Sequence, residues 1–338
     1  MKRLSEYLGG PGLWVKREDT TGLSFGGNKL RKLDTLLHAA LQEGADTLVS
    51  GGVVQSNSQR QVAEAAAKLG LQCHLAVFHG RVSSPTTEYE YSGNAFLNRL
   101  FGAHLHDVAW DGDRNREISN LYEKVKSEGK RPFMVPYGAS CPLGAVGYSS
   151  VVVELVQQCK QYDIEPAAIV HCSGSGATQA GLVVGASIAM PATDIVGIDI
   201  DAEAERVRSD VTKFCRGAAE LLETDFDEEA VEVVAGHAGP AYGVVDDATC
   251  EAIKLAATLE ALALDPVYSG KGLAGLIALI RTGRWQQSDD VIFIHTGGVP
   301  ALFAYAGSFE AEHQNGYLRS PDGRYFHDES SGKTRFDR

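Results

Sequence analysis

The sequence predicts an α/β fold of open, mostly parallel sheets, and three observations carry that prediction. From about residue 32 onward, short apolar runs alternate with longer segments of helical spacing, the pattern of stacked βαβ units. Several of the apolar runs empty directly into Gly/Ser/Asn turns that open the next helix, as Ser50-Gly51-Gly52 and His171-Cys172-Ser173-Gly174 do. The rhythm is interrupted at Pro136-Tyr137-Gly138-Ala139-Ser140-Cys141-Pro142-Leu143-Gly144, a linker candidate rich in residues that break periodic structure. A chain of 338 residues has length for one large α/β unit or for two domains sharing a cleft.

In chain order, Asp46 to Ser50 reads as a strand and Asn57 to Leu69 as a helix that presents Val62, Ala65 and Ala66 on one face and stops at Gly70. A strand from Cys73 to Phe78, a helix around Tyr91 to Leu100, a strand near Leu105 to Val108, a helix near Ile118 to Ser127 and a strand at Phe133 to Val135 follow. Beyond the linker come a helix near Ser149 to Gln161, the strand Ala168 to Cys172, a helix from about Thr178 and the strand Ile195 to Ile200. Residues 203 to 223 read as helix, Glu232 to Val234 as a short strand, Asp247 to Leu262 as helix and Val291 to His295 as a final buried strand. From about Glu310 to Arg338 the apolar periodicity is lost, and an exposed or partly disordered tail is expected.

Composition narrows the function classes. A formal net charge of -13 argues against nucleic acid as a partner, because phosphate backbones are bound by clustered cations. The N-terminus lacks an apolar signal region, and no apolar run is long enough to span a bilayer, so no membrane partner is expected. Six scattered cysteines without a C-x-x-C pair suit reduced thiols and a cytoplasmic location. His104 and His106 share a strand face but have no third ligand at a useful spacing, so no metal is expected.

Five turns could carry chemistry. Ser173-Gly174-Ser175-Gly176-Ala177-Thr178 joins a buried strand to a helix, where backbone N–H groups and the helix N-terminus converge on an anion. No Lys-Ser/Thr follows it, and Gln179 occupies the third glycine position of a dinucleotide fingerprint, so a phosphate without a nucleotide is the better inference. Gln55-Ser56-Asn57-Ser58 opens a helix in the same way; one of these side chains serves as an N-cap, and together they suit a carboxylate. Asp265 to Lys271 and His295 to Gly298 are polar turns leaving apolar stretches, placed to face the same crevice at the carboxyl ends of strands. Gly26-Gly27-Asn28-Lys29 presents a lysine on a glycine pair, followed by the apolar spacing of Leu33, Leu36 and Leu37. Alone, that tetrapeptide reads equally as a surface turn with a solvated lysine.

Ten stretches occur in the order of one family between about residues 13 and 305: VKRED, FGGNKLRKL, GADTLVSGG, QSN with RQVA, AAAKLGLQCHL, PLGAVGY, SGSGATQAG, GPAYGV, DPVYSGKGL and HTGGVPALFAY. On these the chain resembles the pyridoxal-phosphate enzymes of the tryptophan synthase β type, within the group of 1-aminocyclopropane-1-carboxylate deaminase, D-cysteine desulfhydrase and L-cysteate sulfo-lyase. The resemblance implies two open twisted α/β domains (fold type II) with pyridoxal 5'-phosphate in the cleft between them. It assigns residues 1–31 with 147–309 to a large cofactor domain, 32–146 to a small domain and 310–338 to the polar tail. It implies that Lys29 holds the cofactor as a Schiff base and serves as the base, that Asn57 contacts the pyridine 3-oxygen, and that Ser175, Gly176, Ala177 and Thr178 cradle the phosphate. Ser56, Asn57 and Ser58 would hold the substrate carboxylate, Ser56 also counting among the catalytic groups. Tyr242 and Tyr268 would approach the substrate, and Thr296 would lie near the pyridine nitrogen. A small amino acid as substrate and a homodimer are implied as well.

The cyclopropane deaminases carry Glu where this chain has Ser269 and Leu where it has Thr296. A carboxylate near the pyridine nitrogen would keep it protonated for ring opening, whereas hydroxyls can leave it neutral. The resemblance therefore favours β-elimination, with D-cysteine ahead of L-cysteate and the cyclopropane substrate last. Ser58, where relatives often have His or Gln, and Ser140-Cys141-Pro142, where desulfhydrases tend to have Ser-Asn-Ala, depart from the pattern. A nucleotide-dependent dehydrogenase or methyltransferase, argued from the strand-glycine-helix pattern and Asp199, is weakened by Gln179; a non-catalytic binding protein is weakened by the intact Lys29.

Overall fold

A computed structural model of the chain describes residues 1–83 and 85–310. The helix α1 (Lys2–Leu8) precedes the strand β1 (Gly12–Arg17), and α2 (Lys29–Gln42) follows after a loop. Next come β2 (Thr47–Val53), α3 (Asn57–Leu69), β3 (Gln72–His79), α4 (Thr87–Tyr91), α5 (Gly93–Leu100), β4 (His104–Ala109), α6 (Arg116–Ser127) and β5 (Pro132–Met134). The remainder is α7 (Pro142–Tyr162), β6 (Pro166–Ser173), α8 (Ala177–Ala189), β7 (Asp194–Asp199), α9 (Ala204–Leu221), β8 (Glu232–Val234), α10 (Asp247–Glu260), α11 (Ser269–Arg281), β9 (Asp290–His295), α12 (Val299–Ala304) and α13 (Gly307–Glu310).

These strands form two sheets, one of five strands in the order β1-β9-β6-β7-β8 and one of four in the order β4-β3-β2-β5. Every pairing is parallel, so each sheet must bury both faces. In the larger sheet Ile169, Ile195, Ile292 and Ile294 face the core under α7, α8 and α9. Their neighbours Val170, Val196, Val291 and Phe293 face the opposite core, under α1, α10 and α11. That alternation is the period of two that a strand imposes. The smaller sheet is sandwiched likewise, with α2, α3 and α5 over Leu48, Leu75 and Val77, and α6 over Val49, Ala76 and Phe78.

Local chemistry sets the element boundaries. Ser56 caps α3 by accepting the Gln59 N–H at 3.2 Å, and Gly70 ends it in the left-handed conformation. The expected helix around 91–100 is broken at Ser92, whose extended backbone ends α4 and starts α5. The expected linker at 136–144 is only half loop. Tyr137–Ala139 is a single 3-10 turn, and Pro142 begins α7 seven residues earlier than expected. Pro142 lacks an N–H that would need a partner at a helix start, and Cys141 accepts the Gly144 N–H at 3.4 Å. Similarly, Ser269 to Lys271 are the first turn of α11 and not a loop.

No disulfide joins the six cysteines, and no helix among the described residues is long and apolar enough to cross a membrane. From residue 311 the expected polar tail lies outside the described residues.

Candidate active site

The carboxyl ends of both sheets open on one cleft. Its lining includes Asn28, Lys29, Ser56, Asn57, Ser58, Cys172, Ser175, Gly176, Thr178, Tyr242 and Tyr268, around about 570 Å³ of space with the open mouth included. The structure therefore brings together Lys29, the carboxylate turn, much of the phosphate loop and both tyrosines.

Lys29 is the first residue of α2, and the loop before it is heavily braced. Phe25, Gly26 and Gly27 have φ of 60°, 48° and 127°, three successive residues in a region that disfavours side chains. Fully buried Arg60 holds this loop by donating to the carbonyls of Ser24 at 3.0 Å and Gly26 at 2.8 Å. The Gly27 N–H donates to Glu18 O at 2.7 Å and the Asn28 N–H to Thr296 O at 3.0 Å, which ties the loop to strands at both ends of the chain. Lys29 Nζ lies 5.5 Å from the centroid of the Tyr268 ring. Burial lowers its pKa; Cys172 and Asp265 oppose this and the Arg60 charge reinforces it. The result is an amine readier to act as nucleophile and base than a surface lysine.

The phosphate loop leaves β6 and enters α8 through Gly176, at φ 92°. Asn28 Nδ2 donates to Thr178 Oγ1 at 2.8 Å and Ser140 Oγ to Ser175 Oγ at 2.8 Å, so the Ser175 and Thr178 hydroxyls are both held. Ala177 is buried as the first residue of α8, with its backbone at the helix N-terminus. Lys32, which sequence reading left out, is fully buried with Nζ 3.3 Å from the Gly138 carbonyl oxygen. Burial, then the Lys29 charge, pushes its pKa well below the usual lysine range. A signal was available, since a residue three positions after Lys29 lies on the same helical face.

At the other end of the lining, Ser56 Oγ is engaged as the α3 cap, and Asn57 Oδ1 accepts from Asn94 Nδ2 at 2.6 Å. The Ser58 hydroxyl is buried and has no hydrogen-bond partner among the described residues. Tyr242 and Tyr268 meet hydroxyl to hydroxyl, and burial raises both pKa values well above the ordinary phenol value.

Ser269 and Thr296 are placed differently from the cleft wall. Fully buried Asp265 accepts from the N–H groups of Val267, Tyr268 and Ser269 at 3.1, 2.9 and 2.8 Å, and from Ser269 Oγ at 2.7 Å. Ser269 Oγ in turn accepts the Asp265 N–H at 2.9 Å. This reciprocal cap starts α11 and commits the single donor of the Ser269 hydroxyl. The Thr296 hydroxyl contacts Cys172 Sγ at 3.2 Å, and it is Cys172 that lines the cleft.

Comparison with known proteins gives this geometry its chemistry. The family described as "Pyridoxal-phosphate dependent enzyme" matches residues 1–297. The chain belongs to the pyridoxal-phosphate-dependent enzymes. Within them it is 43% identical over 316 residues to a 1-aminocyclopropane-1-carboxylate deaminase of Burkholderia vietnamiensis, covering 91% of this chain and 93% of the relative. It is 39% identical over 305 residues to a D-cysteine desulfhydrase of Salmonella typhi, covering 90% and 92%. Among solved structures, a homologue of the cyclopropane deaminase superposes with a TM-score of 0.81 at 32% identity, covering 92% of this chain and 91% of that one. Maize serine racemase shares the fold, with a TM-score of 0.63 at 17% identity and coverage of 93% and 91%. The architecture is that of the fold type II pyridoxal-phosphate enzymes, and the cofactor is pyridoxal 5'-phosphate.

The residues present fit this cofactor. Lys32 is a buried ammonium with one carbonyl neighbour, Gly138, which itself packs against Ser175 of the loop, and it suits a phosphate dianion. With Oδ1 taken by Asn94, Asn57 has its amide nitrogen left to offer the cleft, which suits a ring oxygen. The unpartnered Ser58 hydroxyl suits a substrate carboxylate.

Proposed function

We propose that this pyridoxal-phosphate-dependent enzyme is a lyase that performs β-elimination on a β-substituted alanine, with D-cysteine as substrate and pyruvate, ammonia and sulfide as products. The observation that carries the choice of reaction is Ser269. Where the cyclopropane deaminases place a carboxylate, this chain has a hydroxyl committed to the Asp265 cap, so no acidic side chain from that position is offered to the ring. When bound, the cofactor withdraws electrons from the substrate's Cα and acidifies its proton.

The protein's groups do the rest. Lys29 Nζ would take the Cα proton. The Cβ–S bond breaks with its electron pair leaving on sulfur, and the paired hydroxyls of Tyr242 and Tyr268 are the proton source for the thiolate. The enamine left behind takes up water and gives pyruvate and ammonia. Ser56, Asn57 and Ser58 hold the substrate carboxylate at the start of α3, where the helix dipole favours an anion. Lys32, Ser175, Gly176, Ala177 and Thr178 would hold the phosphate, and Thr296, through its contact with Cys172, would orient the ring. We also assign residues 1–31 with 147–309 to the cofactor domain and 32–146 to the smaller one, and place the enzyme in a cytoplasm on its cysteines, which form no disulfide.

A second reading, sulfite elimination from L-cysteate, is favoured by one feature, the Arg114 guanidinium on the cleft lining, which is paired with Asp201 and has further N–H groups that suit a sulfonate. A panel of D-cysteine, L-cysteine, L-cysteate, β-chloroalanine, D-serine and the cyclopropane substrate, scored for pyruvate with sulfide or sulfite, separates the two. Sulfide from D-cysteine alone supports the first reading, and substantial turnover of the cyclopropane substrate overturns β-elimination as the assignment. Loss of the visible cofactor band in Lys29→Ala checks the attachment site.

A further inference from the structure

Beside the cleft lies Arg81, an arginine that the proposed reaction does not use. Arg81 follows Gly80 in the turn after β3, on the side of the four-stranded sheet, while Tyr242 and Asp201 belong to loops of the five-stranded side. The Arg81 guanidinium carbon lies 3.9 Å from the centroid of the Tyr242 ring and 4.7 Å from that of Trp110, so it is layered between the two aromatics. The same group donates to the Tyr137 hydroxyl at 2.8 Å and to Asp201 Oδ1 at 3.1 Å. Its side chain is only 8% exposed and that of Asp201 only 2%.

Asp201 collects two more cations, Arg114 at 2.6 Å from the four-stranded side and Arg206 at 2.7 Å from its own. Burial opposes charge on Asp201, but Arg114, Arg81 and Arg206 together hold its carboxyl below the usual range. Two of its three arginines thus come from across the cleft, and one of these carries the ring of a tyrosine that lines it.

We infer that Arg81 is a positioning residue: it seats the Tyr242 ring against the substrate, and its ion pair with Asp201 makes that seating depend on the two sheets being drawn together. The inference rests on the reading that Tyr242 approaches the substrate. Guanidinium is suited to the task because one planar group offers a face to an aromatic ring and an edge to a carboxylate; an ammonium offers only the charge. A plain interdomain staple predicts something different, a loss of stability with catalysis of the folded fraction unchanged.

The test compares wild type, Arg81→Lys, Arg81→Ala and Asp201→Asn as holoenzymes, with the visible band confirming cofactor and thermal unfolding confirming the fold. Trp110, assigned by difference against Trp110→Phe, reports the cluster through acrylamide quenching of its emission. Arg81→Ala is expected to keep the visible band, to make Trp110 more accessible and to lower kcat by roughly 10- to 100-fold with KM changed less than about 3-fold, the pattern of a misplaced catalytic group. Guanidinium ion should restore part of the loss in Arg81→Ala, and Arg81→Lys should fall between the two. Asp201→Asn should reproduce the Trp110 change with a smaller loss of kcat. A kcat within about 2-fold of wild type in folded, cofactor-loaded Arg81→Ala overturns the inference, because misplacement on this scale costs far more. If the band is present but no β-substituted alanine is turned over by wild type, the functional reading has failed; unchanged Trp110 quenching would then overturn the inference independently, and increased quenching would support its structural half.

Discussion

The Lys32 ammonium lies 3.3 Å from the Gly138 carbonyl oxygen, with both residues buried. One neutral acceptor is poor compensation for a charge taken out of water, and burial accordingly depresses the lysine's pKa. A phosphate beside the loop would supply the missing counter-charge. Lys32→Met is therefore expected to weaken retention of the cofactor by roughly 10- to 100-fold, the worth of one charge-assisted hydrogen bond. Titration of the apoenzyme with pyridoxal phosphate, followed by the visible band, measures it. Unchanged affinity would remove Lys32 from the phosphate site.

Ser269 leads to a prediction about specificity. Its hydroxyl both donates to Asp265 and accepts from it, in a fully buried position. Ser269→Glu would break that cap and set a second carboxylate beside a buried one. The expected outcome is a stability loss of about 3–5 kcal/mol and no gain of cyclopropane ring opening. Urea unfolding and a turnover assay check both halves.

His171 predicts the acid limit of stability. Its imidazole is fully buried, with Nδ1 placed 2.8 Å from the Cys172 carbonyl oxygen and Nε2 without a partner among the described residues. Burial pushes its pKa down from 6.5 to about 4, against the Cys172 carbonyl, which raises it. The unfolded chain therefore binds a proton between pH 6.5 and about 4 that the folded chain refuses. This contribution is complete above pH 6.5 and is lost as pH falls, reaching on the order of 3 kcal/mol near pH 4. Urea midpoints of wild type and His171→Gln should converge as pH drops through this window; parallel curves would show that His171 is not the titrating group.

Gly27 tests the loop that presents the lysine. At φ 127°, a Cβ would lie 2.5 Å from Gln61 Nε2 in addition to straining the backbone. Gly27→Ala is expected to cost about 1–3 kcal/mol and to reduce covalent loading of Lys29. Loading is read from the visible band against total protein, and full loading at unchanged stability would contradict the proposed role of this turn.

The α/β class and most strands were legible because apolar alternation and glycine stops are local signals, as at Asn57 to Gly70. The helix α11 was not, because it carries Gly270, Gly272 and Gly275. Intrinsic propensity argues against a helix with three glycines, yet a Cβ at Gly272 would crowd Cys172 and one at Gly275 would strike Ile198. Close packing on the sheet overrides local preference there. The early start of α7 was hidden for a related reason, since a Cβ at Gly144 would strike Ala139 O and one at Gly147 would strike the Arg31 carbonyl. In the site, Lys29 and the polar turns could be read from type and order. The contacts that bury Lys32 against Gly138 and build the layer around Arg81 join distant segments, which no local pattern encodes, whereas the Asp265–Ser269 cap is local and spans four residues.

The parallel register of β1 with β9, Leu13 beside Val291 through Arg17 beside His295, has a consequence for biosynthesis. The loop bearing Lys29 emerges early from the ribosome, but the strand that fixes one of its ends and the Thr296 carbonyl that receives the Asn28 N–H emerge almost last. Such long-range closure is slow, and it cannot begin on a partial chain. Nascent chains stalled before residue 290 should therefore carry a reactive lysine without a finished place for the cofactor, so loading with pyridoxal phosphate requires the chain through Thr296.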